Sequence, residues 1–244
     1  MSLEKALKTA SEIYAEHYAD ATVVLLAGSV VRGEATQHSD LDLIIVYDLL
    51  DQARRESFFH DGWPVEAFIH DPKTLDYFFR KVDRPSGVPS LPDMVADGVE
   101  VSQPNKTTTE IKTLARTILD EGPPVWTDVD RNNSRYAITD LVDDIRSPRS
   151  VHELHATLMY LYPAMANHYF RSRGIWAAKG KSIPRKLAAI APEFAKRFSS
   201  AFDAALTTAD TDQIIQLSAD LLEPDGGFHF DGNSRLAPKN WRSS

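Results

Sequence analysis

Residues 25–46, LLAGSVVRGEATQHSDLDLIIV, constrain the fold more than any other stretch of the chain. One apolar run ends at Gly28-Ser29, and a second begins among two aspartates, Asp40 and Asp42. Short apolar runs that are rich in β-branched residues and bounded by glycine are typical of buried strands. Alternate side chains of a strand share one face, so Asp40 and Asp42 point the same way while their leucine neighbours point into the core. The predicted strands are 22–27 and 41–47.

The remainder of the first hundred residues predicts a mixture of helices and strands. The sequence RRESFFHDGWPVEAFIHD reads as two extended arms around Asp61-Gly62, which is a favoured hairpin turn. Residues 83–104 are rich in proline and glycine, which places the predicted domain boundary there. Helical spacing of apolar residues predicts the flanking helices, 2–19 and 72–82.

Beyond this boundary the apolar periodicity is helical throughout, and the last twenty residues look irregular. The predicted helices are 107–122, 133–146, 150–172, 182–205 with a break at Pro192, and 210–222. The sequence therefore predicts the α+β class. A catalytic domain over 1–104, built on a mixed sheet with flanking helices, precedes an all-helical, bundle-like domain over 105–244 that closes on substrate and nucleotide.

Composition narrows the class of protein. With 43% hydrophobic and 25% charged residues, the chain has the make-up of a globular protein with a sizeable core. It contains no cysteine, which excludes disulfides, thiolate metal sites and cysteine nucleophiles. No apolar run is long enough to span a bilayer, and the amphipathic N-terminus does not resemble a secretory leader. We therefore expect a cytoplasmic protein without a membrane partner.

The net charge of −8 is distributed unevenly. Residues 1–104 contain 9 Lys and Arg against 18 Asp and Glu, whereas residues 105–244 contain 18 against 17. Phosphate contacts require basic surface, so the acidic half argues against long duplex nucleic acid as a partner. Residues 171–197 hold eight basic side chains and one acid, for which a solvated helix surface is the commoner explanation.

The Gly-Ser pair and the aspartates suggest a phosphate-binding metal site. Gly28 and Ser29 fall where a strand ends and a short helix begins, so backbone N–H groups and a hydroxyl can face a phosphate. Asp40 and Asp42 repel each other on one face unless a cation lies between them. Magnesium takes carboxylate oxygens together with substrate phosphates, which makes it the expected cation.

A third carboxylate would complete a site with two metal ions, about 3.5–4 Å apart in known cases. Glu66 stands alone between apolar neighbours in PVEAFIH, and strand alternation sends it to the face opposite Val65 and Ala67. We therefore predict that Glu66 acts either as a third metal ligand or as the general base. No phosphate loop, serine-hydrolase elbow or dinucleotide glycine pattern is present in the sequence.

At these positions the sequence resembles the polymerase-β-like nucleotidyltransferase superfamily, over residues 25–70. The signature is a Gly-Ser pair, a further glycine, Asp-x-Asp on a strand and an acid on a neighbouring strand. The resemblance implies a divalent metal and transfer of a nucleoside monophosphate with release of pyrophosphate. The third acid departs from the usual aspartate, which leaves its role open. The matching residues are Gly28, Ser29, Arg32, Gly33, Ser39, Asp40, Asp42 and, more loosely, Glu66.

A small catalytic domain followed by helices is similar to the bacterial aminoglycoside nucleotidyltransferases and their uncharacterised relatives. We therefore expect a magnesium-dependent enzyme, with two ions, that moves AMP from ATP to a hydroxyl of a small molecule such as an aminoglycoside antibiotic. Lys179 and Lys181 are candidates for contacting the triphosphate, with a solvated loop as the alternative. Two other functions stay open: modification of a protein or an RNA end, and a non-catalytic regulatory relative of the antitoxin type. The acceptor, the base preference and the oligomeric state are not fixed by the sequence.

Overall fold

The computed structural model describes residues 2–236, and the chain divides into two compact units, Met1–Pro124 and Val125–Ser244. The first unit contains a mixed five-stranded sheet with helices, and the second is helical. The predicted α+β class is therefore confirmed. The boundary between the units follows Pro124, whereas the sequence predicted it at 104. Helix Lys106–Glu121 belongs to the first unit because it packs against helix Ser90–Asp97.

The sheet of the first unit has the strand order β3-β4-β2-β1-β5. β2 runs parallel to β4, and every other neighbouring pair is antiparallel. All five residues of β1 are buried, as expected for a central strand. The strands are β1 (Val23–Ala27), β2 (Leu41–Val46), β3 (Arg54–His60), β4 (Trp63–His70) and β5 (Val99–Glu100).

The first helix of this unit is amphipathic. Its buried residues Ala6, Ala10 and Ile13 belong to the same core cluster as residues of β1 and β2. Ser2 caps this helix by accepting a hydrogen bond from the Lys5 amide. The helices are α1 (Leu3–His17), α2 (Gly28–Val31), α3 (Pro72–Phe78), α4 (Arg84–Ser86), α5 (Ser90–Asp97) and α6 (Lys106–Glu121), with a π-helical turn at Phe79–Asp83.

The predicted hairpin is present, and its turn fixes the strand register. Asp61 and Gly62 both have positive φ, 48° and 79°, as a two-residue type I′ turn requires. His60 therefore pairs with Trp63, and the same count places Ser57 opposite Glu66. The identity of the turn thus determines which β3 side chains lie beside the candidate site.

The segment predicted to hold the domain boundary, 83–104, is more ordered than its proline content suggested. It contains α4, α5 and β5, and β5 pairs with β1. Leu91 and Val95 lie about one helical turn apart and are buried, so packing stabilises this short helix. Pro92 lies in the first turn of α5, where a missing amide hydrogen is tolerated.

The second unit consists of five helices over its described residues, followed by a 3₁₀ turn at Glu223–Asp225 and irregular chain to residue 236. The predicted helix over 182–205 is two helices that meet at Ala191, immediately before Pro192. Part of the irregular C-terminus that we predicted, 237–244, lies outside the described residues.

Within the described chain, no helix is both long and apolar enough to cross a membrane. The helices are α7 (Asp128–Arg146), α8 (Val151–Ser172), α9 (Ser182–Ile190), α10 (Pro192–Thr208) and α11 (Asp212–Leu222).

Candidate active site

The structure brings the three predicted carboxylates together. One oxygen from each of Asp40, Asp42 and Glu66 lies within 4.8 Å of the others. The parallel pairing of β2 with β4 sets Asp42 opposite Glu66, and Asp40 lies two residues before Asp42. We call these three residues the acid trio. The sequence predicted that they share a face, and the strand pairing explains why they also converge.

Gly28 lies against the acid trio so closely that no side chain fits there. A Cβ atom added to Gly28 would lie 1.8 Å from Asp42 Oδ2, and the residue has a φ of 72°, which disfavours other amino acids. The pairing of Ala27 with Asp42 across β1 and β2 produces this approach. Gly28 therefore brings bare backbone against a carboxylate at the strand end, and its predicted contact with a phosphate stays a prediction.

The electrostatics of the acid trio are unfavourable in the absence of a cation. The pKa of Asp42 is raised to about 6, chiefly by burial and then by the negative charges of Asp40 and Glu66, while Arg32 and Arg55 act in the opposite direction. A carboxyl whose negative charge is disfavoured in this way gains free energy when a positive ion binds beside it. Three carboxylates offer only oxygen ligands, which is the donor set that magnesium prefers. The residues present therefore fit a magnesium ion.

Arg55 belongs to the site, although the sequence analysis did not single it out. Its guanidinium forms an ion pair with Glu66, and lies 4.9 Å from the centre of the Phe68 ring. The sequence did contain a signal for this contact. A two-residue turn at Asp61-Gly62 sets Arg55 opposite Phe68. Phe68 follows Glu66 by two residues and so lies on the same face of β4. Arg55 supplies a positive charge at the side of the acid trio that faces β3.

The predicted nucleotide-binding residues near the acid trio occupy defined positions. Ser29 lies in α2 and is buried. Ser39 is also buried, and its hydroxyl accepts a hydrogen bond from the Thr36 amide at 2.9 Å. Ser39 thus orders the loop that leads into Asp40, while contact of either serine with a nucleotide stays a prediction. Arg32 pairs with Glu34 at 3.2 Å.

Lys179 and Lys181 belong to the second unit, on the segment between α8 and α9. Both are exposed, and Gly180 between them has a φ of 50°. The backbone of Lys181 precedes the first residue of α9. Their predicted contact with the triphosphate stays a prediction.

Comparison with known proteins agrees with the motif. Residues 3–79 match the family model described as a nucleotidyltransferase domain. This region contains α1, β1 to β4 and the whole acid trio. The resemblance of the N-terminal region to the nucleotidyltransferase superfamily is thereby confirmed, and nucleotidyl transfer is the activity that this domain family indicates.

A nucleotidyltransferase-like protein from Exiguobacterium sibiricum 255-15 is among the similar solved structures. It is 14% identical to this chain, with a TM-score of 0.44, and the comparison covers 90% of this chain and 73% of the other. No curated protein matches the sequence.

Proposed function

We propose that this protein is a magnesium-dependent nucleotidyltransferase that moves AMP from ATP to a hydroxyl group of a small molecule. The observation that carries the proposal is the acid trio, whose oxygens converge beside the bare backbone of Gly28. Magnesium, when bound, supplies positive charge to the triphosphate and stabilises the attacking and leaving oxygens. Asp40 and Asp42 are the proposed ligands, and Glu66 is either a third ligand or the base.

The chain's own residues would position the reactants. The absence of a side chain at Gly28 makes room for the Asp42 carboxylate against the backbone. Gly28, Ser29 and Ser39 are the proposed nucleotide-binding residues, with the two serines as hydroxyl donors. Glu66 would accept the proton of the attacking hydroxyl, a step that a carboxylate placed beside the reacting atoms can perform. Arg55, which pairs with Glu66, would orient this carboxylate. Lys179 and Lys181 are proposed to contact the triphosphate from the second unit.

The charge distribution favours a cationic acceptor. Residues 1–104 contain twice as many acidic as basic side chains, and a field of one sign raises the local concentration of ligands of the opposite sign. An aminoglycoside carries both amino groups and hydroxyls, so it combines the favoured charge with the required nucleophile. We propose that an aminoglycoside-like compound is the acceptor and that the reaction takes place in the cytoplasm, where ATP is available.

A transfer assay tests the proposal. The protein is incubated with Mg²⁺, each of the four α-labelled ribonucleoside triphosphates, and three acceptor classes: aminoglycosides, an RNA oligonucleotide and a protein mixture. We expect pyrophosphate release with ATP that depends on an aminoglycoside, and label on that compound. Label on RNA or protein would replace the acceptor in the proposal. Pyrophosphate release no faster than that of an Asp40→Asn variant, under every condition, would contradict the proposal.

A further inference from the structure

A second group of metal-ligating side chains lies in the first unit, away from the acid trio. Glu16 and His17 are the last two residues of α1, and His60 is the last residue of β3 at the hairpin turn. One ligand atom from each of these three residues lies within 4.8 Å of the others. We call this group the histidine cluster. It joins two elements that are far apart in sequence, and the nucleotidyl transfer reaction does not use it.

The distances within the histidine cluster suit a shared cation better than direct hydrogen bonds. Glu16 Oε2 lies 3.9 Å from His17 Nε2 and 3.9 Å from His60 Nδ1. Both distances exceed the usual range of a hydrogen bond, which ends near 3.2 Å. Two ligands on a tetrahedral zinc ion, with bonds of 2.0–2.1 Å, lie roughly 3.4 Å apart. The Glu16 side chain is 61% exposed, so it is free to move by the half ångström or so that zinc would require.

His60 provides the second observation. Its side chain is only 10% exposed. Its Nδ1 lies 3.9 Å from Glu16 Oε2, which is too far for a direct hydrogen bond between them. Its Nδ1 is the atom that lies nearest to Glu16, which directs the nitrogen toward the other two members of the cluster.

Further oxygen ligands are available around His60. Glu12 lies one helical turn before Glu16, and Glu12 and Asp61 form a second group with His60 whose ligand atoms are also within 4.8 Å. Lys8 lies 3.7 Å from Glu12 and competes for its carboxylate. We therefore regard Glu16, His17 and His60 as the principal ligands, with Asp61, Glu12 or water completing the coordination shell.

We propose that the histidine cluster binds a transition-metal ion of the Zn²⁺ type and thereby fastens the C-terminal end of α1 to the β3–β4 hairpin. Imidazole nitrogen suits zinc, nickel and copper, whereas magnesium prefers oxygen ligands. The two groups in this unit therefore differ in metal class. Since β4 carries Glu66, a metal at the hairpin turn stabilises the strand that presents the third carboxylate.

A zinc titration of the untagged, chelator-treated protein tests this proposal. The titration is done in excess Mg²⁺, so that the carboxylates of the acid trio are not available to zinc, and binding is followed by competition with a chromogenic chelator. We expect one equivalent of Zn²⁺ to bind. His17→Gln or His60→Gln should each weaken the affinity by about tenfold or more, since each removes one ligand.

Two controls separate the histidine cluster from other sites. His152→Gln removes an exposed histidine of the second unit and should leave zinc affinity unchanged. Asp40→Asn should also leave it unchanged. His17 is itself exposed, so His17→Gln keeps the test valid if circular dichroism shows that His60→Gln does not fold.

The proposal is overturned if the wild type binds no zinc, or if His17→Gln binds zinc with wild-type affinity. Loss of binding in Asp40→Asn together with retention in the histidine variants would assign the zinc to the acid trio and would equally overturn it. These outcomes are independent of the transfer assay, because they are read from metal binding alone. Zinc should also raise the Tm of the wild type and not that of His60→Gln, since a ligand that binds the folded state stabilises it.

Discussion

Each unit contains a cluster of charged side chains, and the two clusters differ in whether their charges balance. In the first unit the acid trio sets three carboxylates together, and Arg55 pairs with only one of them. In the second unit an aspartate pairs both with a buried histidine and with an arginine. The first arrangement accumulates charge of one sign, and the second neutralises it internally.

The second cluster, centred on His168, holds groups of both signs of charge at ion-pair distance from one another. His168 has no exposed surface, and its Nδ1 and Nε2 lie 3.0 Å from Ser134 Oγ and Asp225 Oδ2. Asp225 also accepts a hydrogen bond from Arg131 at 3.0 Å. Burial lowers the pKa of His168, while Asp225 opposes that shift. Because no substrate can reach a fully buried imidazole, this cluster supports the packing of α7 and α8 with the turn after α11.

The contrast indicates where a ligand is needed. A cluster that contains both signs of charge is complete without one. A cluster of one sign is destabilising unless a cation binds to it. This contrast supports the proposal that the acid trio is the catalytic site, whereas the His168 cluster is part of the core.

The largest expected effect is on catalysis at the acid trio. Asp40→Asn or Asp42→Asn should lower magnesium-dependent transfer by about three orders of magnitude or more, because a metal site supplies several kcal/mol of transition-state stabilisation. The measurement is pyrophosphate release at saturating ATP, with Asp51→Asn as an exposed control in the same unit. Wild-type activity in either variant at ordinary Mg²⁺ would contradict the proposal that the acid trio, unlike the His168 cluster, is a catalytic site.

Glu66→Gln separates the two proposed roles of the third carboxylate. The amide keeps the size and one acceptor oxygen but cannot take a proton, so kcat should fall by about 10²–10⁴ while Mg-ATP affinity stays within a few-fold. Single-turnover kinetics and calorimetry with a non-hydrolysable ATP analogue measure the two quantities. Loss of ATP binding together with kcat would make Glu66 chiefly a metal ligand, and wild-type values for both would exclude it from the site.

In the His168 cluster the same kind of substitution should act on stability. Asp225→Asn removes the negative charge that pairs with Arg131 and His168, and should lower the free energy of unfolding by about 2–4 kcal/mol. Urea unfolding followed by circular dichroism measures this loss, and Asp231→Asn, at an exposed position, is the control. A loss below about 0.5 kcal/mol would mean that these charges stabilise the fold no more than an exposed ion pair does.

Lys181→Ala tests whether the second unit contributes a cation to nucleotide binding. A lost hydrogen bond to a charged group is worth about 1.5–3 kcal/mol, so ATP-analogue affinity should fall by roughly 10- to 100-fold, and Lys179→Ala should have a smaller effect. Lys196→Ala, at an exposed position of the same basic segment, serves as the control. Equal affinity in all four proteins would identify the two lysines as a solvated loop.

The smallest effect expected is a pH-dependent gain in stability from Asp42→Asn in the metal-free protein. The pKa of Asp42 is about 6 in the folded protein against an ordinary value of 3.8, so its ionised form destabilises the folded state. Relative to wild type, the variant should gain little near pH 4 and about 1–3 kcal/mol at pH 8, with most of the change between these pKa values. Urea unfolding in EDTA at several pH values measures this difference. A difference that does not change with pH would contradict the proposed repulsion.

Much of the site could be predicted because its residues lie on short, regular elements. Strand alternation places Asp40 and Asp42 on one face, and Asp61-Gly62 determines the hairpin and hence the face of Glu66. The order of the segment at 83–104 could not be predicted in the same way. Its proline and glycine content favours a loop, and only the burial of Leu91 and Val95 in the first unit stabilises α5.

By itself, the sequence determined which side chains share a face, since alternation and turn type depend on neighbouring residues alone. The tertiary structure decided which faces meet. The parallel pairing of β2 with β4 brings Glu66 to Asp42, the pairing of β1 with β2 sets Gly28 against the same carboxylate, and the return of the chain after α11 brings Asp225 to His168. These contacts join residues far apart in sequence. No local pattern encodes them, because they depend on how the whole core packs.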